Sequence, residues 1–401
     1  MKGFGEQLNS KKKSNTKTKP SKEQIINQAI QFHLKGNIPE AIKYYQLFIN
    51  QGGRDHKVFS NYGVILKSRG KLQEAELYTR KAIEINPDSA PAHSNLGIIL
   101  RDLGKLKELI DLSKSTLESK SINQEYKLIA SIRMSIAHLL QKDYSETLLS
   151  IKKTNDLINQ GVIDKIKNKK NKQFSFHYSR FITSLYPLLN KENNNLNSFK
   201  IPHFGESHCL SFTHQNLSIS SQIRNIQPVL ITGAKAWHFA SEKHNQWKDS
   251  LTQQMKNHNY SDETFISFGE IDCRKDEGIL NYATKENKNI SEVCEKTIKG
   301  YVNYMEKILT PHFSKKYYFG VPAPLREKQF LDDLDIRRIK LIKIFNSLLK
   351  EEVLSRGSFF IDVFALTSNK NGENNNLHMC DQFHLSPKCI SILFKDHLHK
   401  P

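Results

Sequence analysis

The feature that most constrains the fold is a spacing of 34 residues that repeats in the first part of the chain. Three sets of small or apolar residues recur at this spacing: Gly36, Gly70 and Gly104; Ala29, Gly63 and Gly97; Ala41, Ala75 and Leu109. The period predicts a helical hairpin in each unit. The small residue at Ala29, Gly63 or Gly97 lets two helices approach, and the glycine at Gly36, Gly70 or Gly104 ends the first helix. The residue at Ala41, Ala75 or Leu109 packs inside the second helix.

The middle unit carries the pattern most completely. Its segment NYGVILKSRGKLQEAELYTRKAIEINP, Asn61 to Pro87, adds Ala82 to the inner stripe and closes on a proline, which cannot continue a helix. This combination resembles the tetratricopeptide repeat (TPR) family over residues 22–120. The resemblance implies an all-α solenoid whose concave surface binds a protein or peptide. Residues 122–186 keep a helical period without the glycines, so we expect degenerate repeat helices that cap the array.

A polar segment separates this half from the rest of the chain. The stretch NKENNNLNS, Asn190 to Ser198, has Leu196 as its one apolar residue, which is typical of a linker. The sequence therefore predicts four parts. These are a disordered basic tail at residues 1–21, the repeats with their capping helices at residues 22–186, a linker at residues 187–198, and a second domain at residues 199–401.

Charge and hydropathy narrow the possible classes of function. The net charge of +19 would suit an anionic partner, but only Lys11–Lys22 and Lys165–Gln173 form basic runs. Scattered lysines favour a solvated surface over a site for nucleic acid or a lipid surface. No apolar run approaches the ~18 residues that cross a bilayer, and the first residues lack the apolar stretch of a signal peptide. We expect a cytoplasmic protein without a membrane span that does not bind nucleic acid.

The cysteines bear on the redox compartment and on metal binding. The chain has five of them: Cys209, Cys273, Cys294, Cys380 and Cys389. They include no C-x-x-C pair, which favours free thiols in a reducing compartment. His208 and His378 lie near three of them, so a zinc site is an alternative, but the missing close ligand pairs favour cysteine as a small apolar filler. We expect no metal and no cofactor.

After the linker, short apolar runs alternate with longer helical ones. The candidate strands are Phe199–Phe204, Pro228–Gly233, Thr264–Gly269, Lys316–Val321 and Ser358–Phe364. The longest amphipathic stretches are Ile290–Leu309 and Asp332–Leu354. This alternation predicts an α/β domain with a parallel sheet covered by helices, whose functional groups lie at the carboxyl ends of the strands.

Two short motifs can supply a nucleophile and its base. FGESHC, Phe204 to Cys209, follows the first predicted strand and places Ser207 in a Gly-acid-Ser turn. DQFHLSP places Asp381 three residues before His384, so the carboxylate can reach one imidazole nitrogen while the other faces the serine. Each motif alone is common, and an Asp-x-x-His is more often an Asx turn with a surface histidine. Their order along the chain favours one shared site at the sheet edge.

At these motifs the chain resembles the SGNH hydrolase family, also called GDSL-like esterases and lipases, across residues 199–401. FGESHC is similar to the first family block, with Glu206 in place of the usual Asp and Ser207 at the nucleophile position. DQFHLSP is similar to the last block, which contributes Asp381 and His384. The resemblance implies a flavodoxin-like α/β/α fold and a serine hydrolase.

The two middle blocks of the family bind the oxyanion. ITGAKAW is similar to the second block, whose glycine, here Gly233, offers a backbone N–H. FGEIDCR, Phe268 to Arg274, lies where the third block is expected, but Ile271 replaces the Asn donor of the family. The loss of one such donor costs about 2.7 to 4 kcal/mol in the transition state. Either Arg274 replaces this donor, or Asp272 and Arg274 form a structural ion pair.

The chemistry leaves more than one class of function open. Glu206, Glu270 and Asp272 are further site candidates, although a carboxylate pair for glycoside cleavage is not favoured without a stripe of sugar-binding aromatics. The first hypothesis is a serine esterase or acyltransferase that acts on an acyl ester of a glycan or small metabolite, while the repeats dock a protein partner. The second is a non-catalytic TPR scaffold with a degenerate SGNH domain. A basic nucleic-acid or lipid-surface binder is the third.

Overall fold

The structure, a computed structural model, has a helical half followed by a half built around a β-sheet. It describes residues 20–191, 198–219, 222–256, 262–325 and 332–395. Most of the predicted basic tail and the centre of the predicted linker lie outside the described residues. Within the described ranges, no helix is both long enough and apolar enough to cross a membrane.

The helical half is a series of helical hairpins. Its helices are α1 (Lys22–Leu34), α2 (Ile38–Asn50), α3 (His56–Ser68), α4 (Leu72–Ile85), α5 (Ala90–Asp102), α6 (Leu106–Glu118), α7 (Gln124–Leu140), α8 (Tyr144–Asn159), α9 (Val162–Lys165) and α10 (Lys169–Leu185). Gly36, Gly70 and Gly104 follow α1, α3 and α5 with φ of 74°, 74° and 72°. Glycine adopts this left-handed conformation readily, which ends the first helix of each hairpin as the period predicts.

A fourth hairpin follows the three periodic ones. Helices α7 and α8 form it, and α7 has 17 residues where α1, α3 and α5 have 13 each. Lys142 takes the left-handed position after α7, with φ of 62°. Because α7 is buried between its neighbours along most of its length, it belongs to the core of the molecule and not to an exposed end of the array.

The second half contains a six-stranded mixed sheet. Its strands are β1 (Phe199–Gly205), β2 (Asn216–Ile219), β3 (Gln222–Leu230), β4 (Glu263–Ser267), β5 (Lys315–Phe319) and β6 (Phe359–Ile361), in the spatial order β2-β3-β1-β4-β5-β6. Five of these strands are parallel and correspond to the five predicted runs. Strand β2, which the sequence did not predict, pairs antiparallel with β3 at one edge.

Helices cover this sheet. They are α11 (Ala236–Ala240), α12 (Gln246–Lys256), α13 (Ile279–Lys285), α14 (Ile290–Leu309), α15 (Asp333–Leu354), α16 (Val363–Thr367) and α17 (Ile390–Leu393). The two long amphipathic stretches of the sequence form α14 and α15, whose apolar faces share one core with β1, β4 and β5. Burial of these faces is the main force that holds the helices to the sheet.

The two halves pack directly on each other. Leu128 and Phe181 of the helical half share one hydrophobic core with Cys209, Leu210 and Leu230 of the sheet half. Elsewhere along the contact, polar groups cross between the halves. The backbone N–H of Leu72, at the start of α4, donates to Asp249 Oδ2 at 3.2 Å. Ser250 Oγ donates to the Asp102 carbonyl at 2.9 Å. A carboxylate from α12 therefore caps a repeat helix whose own N-cap residue, Lys71, has no side-chain hydrogen bond to the backbone of the first turn.

Candidate active site

The Gly-acid-Ser turn lies at the carboxyl end of β1. A Cβ atom on Gly205 would lie 2.3 Å from Ser267 Oγ and 2.8 Å from Cys209 Cβ, so only glycine fits between β1 and its neighbours here. Glu206 then caps a 3-10 helix, Ser207–Phe212, by accepting the N–H of His208 at 3.2 Å. The glycine and the acid thus fix the turn that directs Ser207 off the strand end.

Ser207, His384 and Asp381 form one hydrogen-bonded chain. Ser207 Oγ lies 2.8 Å from His384 Nε2. On the other side of the ring, His384 Nδ1 lies 2.9 and 2.8 Å from the two carboxylate oxygens of Asp381. Asp381 Oδ1 also accepts the backbone N–H groups of Phe383 and His384 at 2.8 and 2.7 Å, which fixes the carboxylate in its turn. The structure therefore brings together the three residues that the two motifs predicted as a site.

The protonation states of this chain suit proton transfer. Burial lowers the pKa of His384 below its ordinary value of 6.5, so the imidazole is neutral at pH 7. Burial alone would raise the pKa of Asp381, but hydrogen bonds from the His384 ring and from the backbone N–H groups of Phe383 and His384 hold it below the usual range. With an ionised Asp381 at Nδ1, that nitrogen carries the proton and Nε2 can accept one from Ser207.

A second acid–base pair adjoins the serine. Glu206 Oε1 lies 2.5 Å from His208 Nδ1, and Glu206 Oε2 lies 2.8 Å from Ser207 Oγ, so this carboxylate and His384 Nε2 compete for the one hydroxyl proton of Ser207. The other nitrogen of His208, Nε2, donates to the Phe383 carbonyl at 2.8 Å. Burial would lower the pKa of His208, but the charge and hydrogen bond of Glu206 raise it to about 9. A protonated His208 thus links the serine turn to the loop that carries His384.

Asp272 occupies a different place from the predicted ion pair with Arg274. Its carboxylate accepts the backbone N–H groups of Ala236 at 2.7 Å and Trp237 at 3.1 Å, at the start of α11. Burial raises the pKa of Asp272 to about 6, although the hydrogen bonds from these two N–H groups act to lower it. The carboxylate of Asp272 is thus paired with the turn that follows Gly233 and not with Arg274, whose ion pairs are with Glu270 and Glu277.

Arg274 is paired with two glutamates. Its Nε donates to Glu270 Oε2 at 2.8 Å, and a terminal nitrogen lies 3.2 Å from Glu277 Oε1. Glu270 is buried, and while burial alone would raise its pKa, the charge of Arg274 lowers it to about 2. Arg338 lies 3.3 Å from the second oxygen of Glu270. The guanidinium is thus held in a fixed orientation at the edge of the cleft described next.

A cleft of about 550 Å³ opens beside the serine. The nucleophile turn after β1 and the turns after β3 and β4 contribute Ser207, Gly233, Ile271 and Arg274 to its lining. These three strands are neighbours in the sheet, so their carboxyl ends converge as the sequence predicted. Ile271, at the position of the family's Asn, offers the cleft no side-chain donor. Helix α10 lines the opposite side.

Sequence reasoning missed several residues of this site. His208 was noted only as a possible metal ligand near Cys209, although its place directly after the serine was a signal for a second histidine at the site. Phe181, whose ring stacks on His384, lies in a helix predicted to belong to the other domain, and nothing in its spacing signalled the contact. Among the described residues, no group of three or more His, Cys, Asp or Glu side chains is placed to hold a metal ion.

Comparison with known proteins identifies part of the helical half. Residues 78–110 match a family model described as tetratricopeptide repeat. This segment runs from the middle of α4 through α5 into α6, and so spans parts of the second and third hairpins described above. A search of curated proteins found no match to the chain.

Several solved structures are similar to the chain at low identity. A tetratricopeptide repeat protein from Parabacteroides merdae is 12% identical, with 87% of this chain and 94% of that chain covered and a TM-score of 0.35. YrrB, described as a TPR protein with an unusual peptide-binding site, is 17% identical over 34% of this chain and 69% of its own, with a TM-score of 0.31. Yeast Tom70 is 13% identical over 85% and 78%, with a TM-score of 0.25.

TM-scores this low do not establish a common fold over the whole chain. The assignment of the helical half rests on the family model and on the repeated hairpins with their left-handed glycines. The helical half of this chain therefore contains tetratricopeptide repeats.

Proposed function

We propose that this protein is a serine esterase or acyltransferase of SGNH type. The observation that carries the proposal is the hydrogen-bonded chain from Ser207 through His384 to Asp381. The sheet supports it, since its five parallel strands, numbered among themselves along the chain, lie in the order 2-1-3-4-5. That is the order of flavodoxin-like sheets, in which ligands bind outside the carboxyl ends of the strands.

The proposed reaction is an acyl transfer in two steps. Ser207 Oγ attacks the ester carbonyl while its proton moves to His384 Nε2, and ionised Asp381 stabilises the resulting imidazolium. The tetrahedral intermediate then expels the alcohol, which takes the proton from His384 Nε2 and leaves an acyl group on Ser207. In the second step water or another hydroxyl group attacks this acyl group and gives its proton to His384 Nε2. The bond between the acyl group and Ser207 Oγ then breaks, and Ser207 takes the proton back from His384. The same residues thus serve hydrolysis and transfer.

The oxyanion of the intermediate needs donors at the serine. We assign the backbone N–H groups of Gly233 and Ser207 to this role, since both residues border the cleft. Arg274 is the proposed third donor in place of the missing Asn. Its pairing with Glu270 and Glu277 supports the role, because a fixed guanidinium costs little reorganisation during the reaction.

The cleft suits an ester of a polar molecule. Its lining combines charged side chains, among them Lys235 and Glu277, with the aromatic rings of Phe174, Tyr178 and Phe383. Polar groups that bind hydroxyls beside aromatic faces are suited to a glycan or a small polar metabolite that carries an acyl group. We further propose that the repeats bind a protein or peptide partner on their concave surface.

Labelling with a fluorophosphonate tests the proposed function. We expect the intact protein to react once, and peptide mapping to place the adduct on Ser207, because among the residues that the structure describes only this serine lies beside a histidine that an acid orients. The labelling rate should be level near pH 7 and fall as the pH drops below the lowered pKa of His384, since a protonated imidazole cannot accept the serine proton.

The outcome distinguishes the two main hypotheses. If the protein takes no label, and p-nitrophenyl acetate and acetylated sugars are not hydrolysed, the esterase proposal fails and the non-catalytic scaffold replaces it. A label on a different serine would show that the hydrogen-bonded chain is not the nucleophilic site.

Arg274→Ala tests the third oxyanion donor. We expect kcat for p-nitrophenyl acetate to fall by ~100-fold or more, as it does when one oxyanion donor is removed from a serine hydrolase. Lys275→Ala is the matched control, because Lys275 also lines the cleft and forms an ion pair, with Asp335. Normal turnover of folded Arg274→Ala would show that Arg274 is structural and that the backbone donors suffice.

A further inference from the structure

The last helix of the helical half reaches the proposed catalytic histidine. Phe181 of α10 is fully buried, and its ring lies on the imidazole of His384 with 3.6 Å between ring centroids and 15° between ring planes. One flat face of the imidazole is thereby covered by a side chain that comes from outside the sheet half. The stack restrains the rotation of the histidine ring and removes water from it.

The same helix forms one wall of the cleft. Gln173, Phe174, His177 and Tyr178 of α10 line the space that Ser207 lines from the opposite side. These residues share one face of α10, since positions three or four apart in a helix are neighbours on its surface. Any molecule that fills the cleft and reaches the serine must therefore also contact α10.

Helix α10 is held firmly in this position. Phe181 and Leu185 belong to the core that includes Leu210, which lies in the 3-10 helix directly after the serine turn. Nearer the cleft, His177 packs edge-on against Phe383, with 5.8 Å between ring centroids. The wall is thus part of the folded core, in contrast to a module that docks on a finished enzyme.

We propose that α10 of the helical half completes the active site. Phe181 is a positioning residue that holds His384 in line with Ser207, and His177 and Tyr178 contact the bound substrate and determine which esters are accepted. This inference rests on the proposed esterase function. It gives the helical half a part in the chemistry beside its proposed binding of a partner.

Phe181→Leu in the full chain is the first test, with Phe176→Leu as the matched control. Phe176 lies on the same helix, is 39% exposed and does not line the cleft. We expect Phe181→Leu to lower the rate of fluorophosphonate labelling by ~10-fold or more at pH 7, since small displacements of a catalytic group are costly. The control should label at the wild-type rate.

The pH profile separates positioning from a general loss of structure. Phe181 keeps water from His384, so its loss should move the acidic limb of the labelling profile to higher pH as the imidazole becomes solvated. The charged and titratable groups that face His384 are Asp381 on its own loop, Glu206 and His208 on the serine segment, and His177 on α10. All four groups remain in Phe181→Leu, so a shift of the pH profile reports the loss of the phenyl ring that covers His384.

A second variant tests the wall without touching the core. His177→Ala should change the ratio of kcat/KM for p-nitrophenyl octanoate to kcat/KM for p-nitrophenyl acetate by at least ~5-fold, because only the larger ester fills the cleft. If Phe181→Leu does not fold, the ester selectivity of His177→Ala alone tests whether α10 contributes to the site. Folded variants with wild-type rates, pH profiles and selectivity would overturn the inference and leave the esterase function intact. If the wild-type protein takes no label, the esterase function is wrong, and so is this inference, because it rests on that function.

Discussion

Alanine in place of Ser207 or His384 is expected to lower kcat/KM for p-nitrophenyl acetate by ~10⁴-fold or more, and the double variant should lose no more than either single one. The reason is geometric. The two side chains are 2.8 Å apart and share one proton transfer, so that either loss removes the same step. Steady-state rates with this ester measure the effect, and circular dichroism confirms that the variants fold.

Two neighbours serve as controls for this prediction. Ser211→Ala removes a buried hydroxyl from the same 3-10 helix, four residues away, and the structure gives that hydroxyl no hydrogen-bond partner among the described residues. His378→Ala changes the loop that carries His384 without touching the chain of hydrogen bonds. Both should keep most of the activity.

Asp381→Asn should retain more activity than His384→Ala, since the histidine can still adopt the productive tautomer. Additive losses in the double variant would contradict a single catalytic unit.

His208→Ala is expected to lower the free energy of unfolding by ~3 to 5 kcal/mol, because it leaves the buried carboxylate of Glu206 without its cation. Glu206 and His208 are 1% and 6% exposed, so little water can replace the lost partner. Urea unfolding at pH 7 measures the change. The double variant with Glu206→Gln should be less destabilised than the sum of the two single variants, since the second change removes the isolated charge.

The same pair predicts how stability depends on pH. The pKa of His208 is raised to about 9 in the folded protein, from 6.5. Folding therefore binds a proton between these values, so the contribution of the pair is complete below pH 6.5 and is lost as the pH rises through 9. The urea midpoint of the wild-type protein should fall between pH 7 and pH 10. The fall should be smaller in His208→Ala, and an equal fall in both would contradict the assigned charge on His208.

The periodic part of the fold could be predicted because its signals are local. A glycine that ends a helix, and a small residue where two helices cross, recur at a fixed spacing in the sequence, as at Gly70 and Gly104. The fourth hairpin lacks this spacing and these glycines for a physical reason. Helix α7 is four residues longer than its counterparts, and Lys142 takes the left-handed position that glycine has elsewhere. Its helices were predicted, but their place in the centre of the molecule was not.

The site could be predicted only as far as its motifs are contiguous. Ser207 and the Asp381–His384 pair stand out because each has a short local signature. Strand β2 has only four residues, and although they alternate in burial, so short a segment gives a weak signal and was missed. The contact of Phe181 with His384 depends on how the two halves pack, and a single sequence carries no local signal for that packing. The partners of Asp272 could not be predicted either, because its carboxylate accepts two backbone N–H groups, and a backbone N–H has no signature in the sequence.

The contact between Ser207 and His384 joins residues 177 positions apart, and the cap that Asp249 places on Leu72 spans the same distance along the chain. Contacts of such long range form late, after the local hairpins of the repeats have folded. During synthesis the serine turn leaves the ribosome well before the segment that carries its base. A nascent or prematurely terminated chain that lacks this segment holds an unactivated serine. In the proposed function, ester cleavage therefore begins only after the last strand and the loop beyond it have joined the sheet.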